Sequence, residues 1–246
     1  MKTIAYTALH YGKEYLGYAI KSVIDYVDEY WVLYSAIGSH GFRTNTPCPD
    51  TREELYWIAQ QVAGDKLHWI DGEWAHEGLQ RDSITEHCPD ADVILVLDAD
   101  EIWPETLVYT AQMMRSHPTA VRHYRAPIIH YWRSFHRAVL HDPAYPVRLI
   151  HPKIQNGEDT LHGLGHINHM GYAQRPAIVE YKLLTHGHRN ELRTDFNWFR
   201  DKYMANAQED CHPVGSDYWQ PEPVNPLDYM PAFMAQHPYF NMEVIE

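Results

Sequence analysis

Hydrophobic positions along the chain fall into two rhythms. Short runs of β-branched, aromatic and small apolar residues at 3–8, 29–34 and 67–70 read as strands. Between them the apolar residues recur at helical spacing, and Leu16, Ala19, Ile20, Val23, Ile24 and Val27 mark the buried face of a helix over 13–26. Residues 50–53, Asp-Thr-Arg-Glu, form a capping-box pattern that opens a second helix running to 63. A third helix is expected over 75–87. The five consecutive apolar residues 93–97 then read as a strand buried on both faces. Strand and helix alternate in units of about thirty residues, which predicts βαβ crossovers and an α/β fold with a mostly parallel central sheet flanked by helices.

The rhythm changes after Pro104. A helix to 116, strands over 120–132, 145–151 and 178–185, and a helix over 192–207 are expected there. The stretch 213–246 carries six prolines interleaved with Tyr218, Trp219, Tyr229, Phe233, Tyr239 and Phe240. Proline at that density forbids long regular elements, and the rings predict a tail packed back on the domain. The expected organisation is one domain over 1–212, with halves 1–105 and 106–212, followed by this tail.

The buried strand runs directly into Asp98, Asp100 and Glu101. Three carboxylates in four positions need neutralising. A divalent cation does this simply, because hard cations take carboxylate oxygens and bridge them to a diphosphate. The same residues also suit a polar strand end leading to a helix N-terminus at Pro104-Glu105, where acidic side chains are favoured. In either geometry the cluster stands at a strand's C-terminal end, where open α/β sheets bind ligands.

Composition narrows the classes. With 246 residues and 45% apolar content, the chain can bury one large core. It has no run of eighteen apolar residues, so no membrane span is expected, and residues 1–10 read as a first strand, not a signal peptide. Cys48, Cys88 and Cys211 lack metal or disulfide spacing, which suits a reducing cytoplasm. The formal net charge of −13 is uneven. Residues 107–157 hold Arg115, Arg122, Arg125, Arg133, Arg137, Arg148 and Lys153 against Asp142 alone. No obligate protein partner is evident.

Four features occur together in order over residues 3–105: the opening strand and helix, the passage from Ser22 through Asp28-Glu29 to Val32, the pair Arg81-Asp82, and Leu97-Asp98-Ala99-Asp100-Glu101. Together they resemble the family 2 glycosyltransferases, which have the GT-A nucleotide-diphospho-sugar fold and a DxD motif. Tyr34-Ser35 departs from the Asp-Gly-Ser usual after the second strand, which alters the nucleotide contacts expected there. The resemblance implies sugar transfer from a nucleotide-diphosphate donor, a UDP-sugar first, to a hydroxyl acceptor, with Mn²⁺ or Mg²⁺ as cofactor. Under it Asp100 is the principal metal ligand, and Asp98, joined to it by Ala99, meets the donor ribose or the metal. Thr7, Ala8 and Tyr34 line the nucleotide pocket, Arg81 approaches the donor, and Asp71 lies near the base. His186 and His188 stand where a late histidine completes the metal set. Gly157-Glu158-Asp159-Thr160 resembles an acidic pair that supplies the catalytic base, and His166, within the run from His162 to His169, offers a base or an acceptor contact. A chance His-x-His among 18 histidines, and an ordinary acidic turn, compete with these two assignments.

For the acceptor, Trp132, Arg133 and Arg137 interleave ring and cation in the basic stretch, a pattern suited to an anionic acceptor such as a hydroxymethylated pyrimidine in DNA. A half-buried strand with a solvated loop is the commoner outcome of such a pattern, and a saccharide or protein hydroxyl is equally open as acceptor. Glu101 and the mid-chain position of the motif disfavour a haloacid dehalogenase-type phosphatase. A sugar-nucleotide nucleotidyltransferase needs a Gly-rich opening loop, and residues 3–17 hold only Gly12 and Gly17. A module that binds nucleotide or glycan without catalysis fits the same residues.

Overall fold

The computed structural model describes residues 1–116, 121–154, 158–161, 165–215 and 219–244. Its first half follows the hydrophobic rhythm. Strands β1 (Thr3–Leu9), β2 (Glu29–Tyr34), β3 (Leu67–Asp71) and β4 (Val93–Val96) are parallel, in the order β3-β2-β1-β4. Every residue of β4 is buried, as an unbroken Val-Ile-Leu-Val run requires of an interior strand. Helices α1 (Lys13–Val23) and α2 (Arg52–Ala63) share one core through Leu16, Ala19, Ile20, Leu55 and Ala59. The opposite face is closed by α3 (Glu77–Asp82) and α4 (Ile84–His87), into which the helix expected over 75–87 is divided at Ser83.

The capping box lies one residue later than expected. The Thr51 hydroxyl accepts from the Glu54 N–H, and the Glu54 carboxylate accepts from the Thr51 N–H. Asp50 takes no part in the box. Its carboxylate accepts instead from the N–H groups of Gly12 (2.7 Å) and Lys13 (2.9 Å), capping α1 from across the fold.

Beyond β4 lies a two-residue strand, β5 (Glu101–Ile102), and then α5 (Glu105–Ser116). The single strand expected over 120–132 is two strands in two different sheets, β6 (Val121–Arg125) and β7 (Ile128–Trp132). Pro127 separates them, having no N–H to continue a ladder. The remaining strands are β8 (Arg137–Val139), β9 (Val147–Ile150), β10 (Glu158–Leu161), β11 (Ile167–Tyr172) and β12 (Glu222–Pro223). One sheet runs β10-β6-β9-β4-β1-β2-β3, and the other β12-β8-β7-β11-β5. The result is a mixed α/β fold with a parallel-rich main sheet.

Two expectations for the second half are corrected. Residues 178–185 form the helix α6 (Pro176–Thr185), not a strand. Pro176 sits at its start, where a missing N–H costs nothing, and buried Ile178, Tyr181 and Thr185 recur at helical spacing. The apolar run outweighed that period in the sequence. The helix expected over 192–207 is instead irregular, with a π-helical stretch at Phe199–Met204 whose end carbonyls, of Tyr203 and Met204, accept from the Arg133 guanidinium, each at 2.9 Å. Residues 219–244 pack on the domain: Met230, Met234 and Phe240 enter the α1 core, and the Val244 N–H reaches the Arg133 carbonyl at 2.7 Å. No described helix is long and apolar enough to cross a membrane.

Candidate functional site

The carboxylate turn joins the two sheets. Leu97 N–H still bonds to Tyr6 of β1 (3.0 Å), Glu101 N–H turns back to the Asp98 carbonyl (3.0 Å), and Met170 N–H of β11 takes the Asp100 carbonyl (2.7 Å). The β1–α1 loop presses against this turn. Gly12 adopts φ +127, and a Cβ there would lie 2.9 Å from that of Ala99. Strand order departs in opposite directions from the β1–β4 pair, so the crevice beyond their C-terminal ends is the topological switch point of the sheet. A cleft of about 980 Å³ opens there, within the range of small-ligand sites. Ala8 to Gly12 and Asp98 to Glu101 form one side; α6, β7, β11 and the residues His212, Pro213, Val214 and Trp219 contribute the other.

Each of the three carboxylates holds a cation of the chain. Asp98 Oδ1 accepts from Arg81 at 2.5 Å and its Oδ2 from Arg148 at 2.9 Å. Glu101, 1% exposed, takes the Nε of Arg148 at 2.9 Å and its Nη2 on the other oxygen. Asp100 Oδ2 accepts from Lys182 and from Gln174, each at 3.1 Å. Burial opposes ionisation of Asp100, but the Lys182 ammonium outweighs it and holds the carboxyl well below its usual range. Burial likewise disfavours charge on Lys182, and Asp100 more than restores it, so the ammonium persists. At Glu101 burial wins and raises the carboxyl, although Arg148 opposes it.

A directed chain of donors leads away from Lys182. The ammonium lies 3.4 Å from His169 Nε2, and His169 Nδ1 lies 2.7 Å from His130 Nδ1. A lysine only donates, so His169 Nε2 accepts, its Nδ1 carries the proton, and His130 Nδ1 accepts in turn. His130 Nε2–H then faces Asp142 Oδ2 at 3.0 Å, off the line of a good hydrogen bond, so the chain ends on a poorly aligned donor. Burial lowers His130 to about 4, keeping it neutral. Asp142, lowered to about 2 because hydrogen bonds and His130 overcome its burial, also accepts from Trp219 Nε1 at 2.8 Å.

The residues singled out from sequence divide into three groups. Ala8, Arg81, Asp98, Ala99, Asp100, His186 and His188 line the cleft. Thr7 does not, since it is buried and its hydroxyl meets the Tyr30 hydroxyl at 2.5 Å. Tyr34 stacks on Trp69, and Asp71 is held by both nitrogens of an Arg52 fork, away from the cleft. His166 contacts the Tyr229 carbonyl at 3.1 Å. Trp132 is buried in an aromatic cluster with Tyr172, Trp198 and Tyr203. Arg133 serves the carbonyls of the π-helical stretch, and Arg137 donates to the Pro221 carbonyl at 3.0 Å. Trp132 and Arg133 are thus internal ties, while half-buried Arg137 lines a separate pocket with Pro221 and Glu222. Glu158 and Asp159 lie on β10, the edge strand three places from β4. Gly157, His162 and the start of the 120–132 strand fall outside the described residues.

Sequence reasoning missed Lys182 and Gln174, left Arg148, His130 and Asp142 without roles, and took His169 only as part of a histidine run offering a base or an acceptor contact. One signal was present. Lys182 lies four positions from Ile178 and three from Thr185, on the buried face of a helix, where an ammonium requires a carboxylate.

No family model matches the chain. Nor does any curated protein. Among solved structures, residues 1–349 of TarS from S. aureus align at 16% identity and TM-score 0.37, covering 52% of this chain and 36% of that one. A longer TarS structure from S. aureus aligns at 15% identity and TM-score 0.31, covering 52% and 21%. The chain thus spans about a third of the shorter TarS structure.

Proposed function

We propose that the chain is a glycosyltransferase that binds a nucleotide-diphosphate sugar, a UDP-sugar first, in this cleft and transfers the sugar to a hydroxyl acceptor. One observation carries the reading: the Asp98-Ala99-Asp100 turn stands at the C-terminal end of the central parallel strand, at the switch point beside the β1–α1 loop. The resemblance of residues 3–105 to family 2 glycosyltransferases agrees with that placement. The donor then lies along the Ala8–Gly12 side, and the acceptor enters past His130, Tyr172 and Trp219. With Trp132 and Arg133 engaged inside the protein and Arg137 outside this cleft, nothing in the cleft singles out DNA among hydroxyl acceptors.

The Mn²⁺ or Mg²⁺ expected from the resemblance fits poorly. Both oxygens of Asp98 are engaged by arginines, and Asp100 by Lys182 and Gln174. Among the described residues no three His, Cys, Asp or Glu side chains are grouped to hold an ion. No step is assigned to a metal.

The test is a thermal-shift panel of nucleotide sugars, followed by a sugar-transfer and donor-hydrolysis assay on any that bind. A ligand at a hundred times its Kd stabilises by about 2.7 kcal/mol, raising Tm by about 5–10 °C in a chain of this size. Failure of every nucleotide sugar to shift Tm refutes the reading. Binding without transfer or hydrolysis leaves a non-catalytic module.

A further inference from the structure

The geometry points to Lys182 and His186, not a divalent ion, as the groups that hold the donor's diphosphate. This rests on the nucleotide-sugar reading and departs from the metal that the resemblance implies.

The orientation of each nitrogen and oxygen carries the inference. An ammonium has three N–H groups, and Lys182 directs two among the described residues, to Asp100 and to His169. The third remains for a ligand in the cleft that Lys182 lines. His186 follows one turn later, its N–H on the Lys182 carbonyl at 2.9 Å. Its Nδ1 accepts the His188 N–H at 3.1 Å. A backbone N–H can only donate, so Nδ1 has no proton and Nε2 carries it. That Nε2 is buried, lines the cleft with its ring, and has no partner among the described residues. To ligate a metal there the ring would have to shift that proton to Nδ1 and give up the His188 N–H, whereas as it stands it can donate to a phosphate oxygen. An unpaired buried donor is also costly, and one whose ring lines a cleft can be satisfied by a ligand oxygen.

A divalent ion finds these groups already engaged. His169 Nε2 already accepts from Lys182, and Asp98 already accepts from two arginines. A divalent ion at Asp100 would have to displace an ammonium held by Asp100 on one side and by the His169–His130–Asp142 chain on the other. In this arrangement Asp100 is the tether of Lys182, and Asp142, through the two histidines, is a positioning residue for it.

Isothermal titration with uridine diphosphate, other nucleoside diphosphates being run in parallel, tests this on the wild-type chain in EDTA and in Mn²⁺. Equal affinity in both is expected. Lys182→Met removes one charge-assisted contact and is expected to weaken binding about tenfold to a hundredfold. Asp100→Asn removes the acid that keeps Lys182 charged and in place, so it should weaken binding by a similar factor, and Mn²⁺ should not restore it. Loss of binding in EDTA with recovery in Mn²⁺, or binding by Lys182→Met as tight as wild type, overturns the inference and leaves the nucleotide-sugar reading standing. Absence of binding by any nucleoside diphosphate in either condition removes both. Should Lys182→Met fail to fold with Asp100 unpaired, the wild-type comparison in EDTA and in Mn²⁺ decides alone.

Discussion

Arg148→Met isolates the cost of the buried charge cluster. Arg148 gives two N–H groups to Glu101 and one to Asp98. Asp98 keeps Arg81 when Arg148 is lost, so the deficit falls on Glu101, which is 1% exposed and whose only other contact among the described hydrogen bonds is the Asp98 N–H at 3.3 Å. Removing one partner of a buried pair costs about 3–5 kcal/mol, because the other charge is left unpaired in a medium that solvates it badly. Replacing the carboxylate as well, in Arg148→Met with Glu101→Gln, removes that charge and leaves lost hydrogen bonds, about 1–2 kcal/mol. The expected coupling between the two substitutions is therefore about 2 kcal/mol or more. Urea unfolding of wild type, both single variants and the double variant closes the cycle. A pH series adds a sign. Burial already raises Glu101, and without Arg148 it rises further, so the folded variant takes up a proton that the unfolded chain does not. The variant's deficit relative to wild type must shrink as the pH falls through that interval. A deficit below about 1 kcal/mol, or a double variant no more stable than Arg148→Met, refutes this account of the cluster.

Two further outcomes follow from individual residues. His130 and His237, both buried, are lowered to about 4, so between that value and the ordinary histidine pKa of about 6.5 the unfolded chain binds protons that the folded one excludes. Their contribution is fully present above about pH 6.5 and is lost as the pH falls toward 4, by up to a few kcal/mol, and chemical denaturation across that range should show it, with a smaller acid loss in His237→Asn. Gly12→Ala forces a side chain into φ +127 and against Ala99, which should cost about 1–3 kcal/mol in urea unfolding and weaken any ligand of the cleft, whereas a neutral result would mean that the β1–α1 loop does not rest on the carboxylate turn.

The sequence alone determined the layout of the first half. Helical spacing from Leu16 to Val27 and the four-residue core of β4 are local patterns, and local patterns survive without knowledge of the partner. The position of the carboxylates followed from the same strand. Tertiary structure decided what those carboxylates do. Asp98 meets Arg81 from 17 positions away and Arg148 from 50, and Asp100 meets Lys182 from 82, so which cation answers which acid depends on which elements become neighbours. The second half misled for a related reason. Ile178 and Val179 favour strands in isolation, yet Pro176 and the docking of one face of α6 beside the cleft made them helical. Arg133 and Trp132 looked like surface readers because charge and rings in sequence do not reveal burial. The fold turned both inward, where packing and unsatisfied carbonyls, not solvent, fix what a guanidinium or an indole touches.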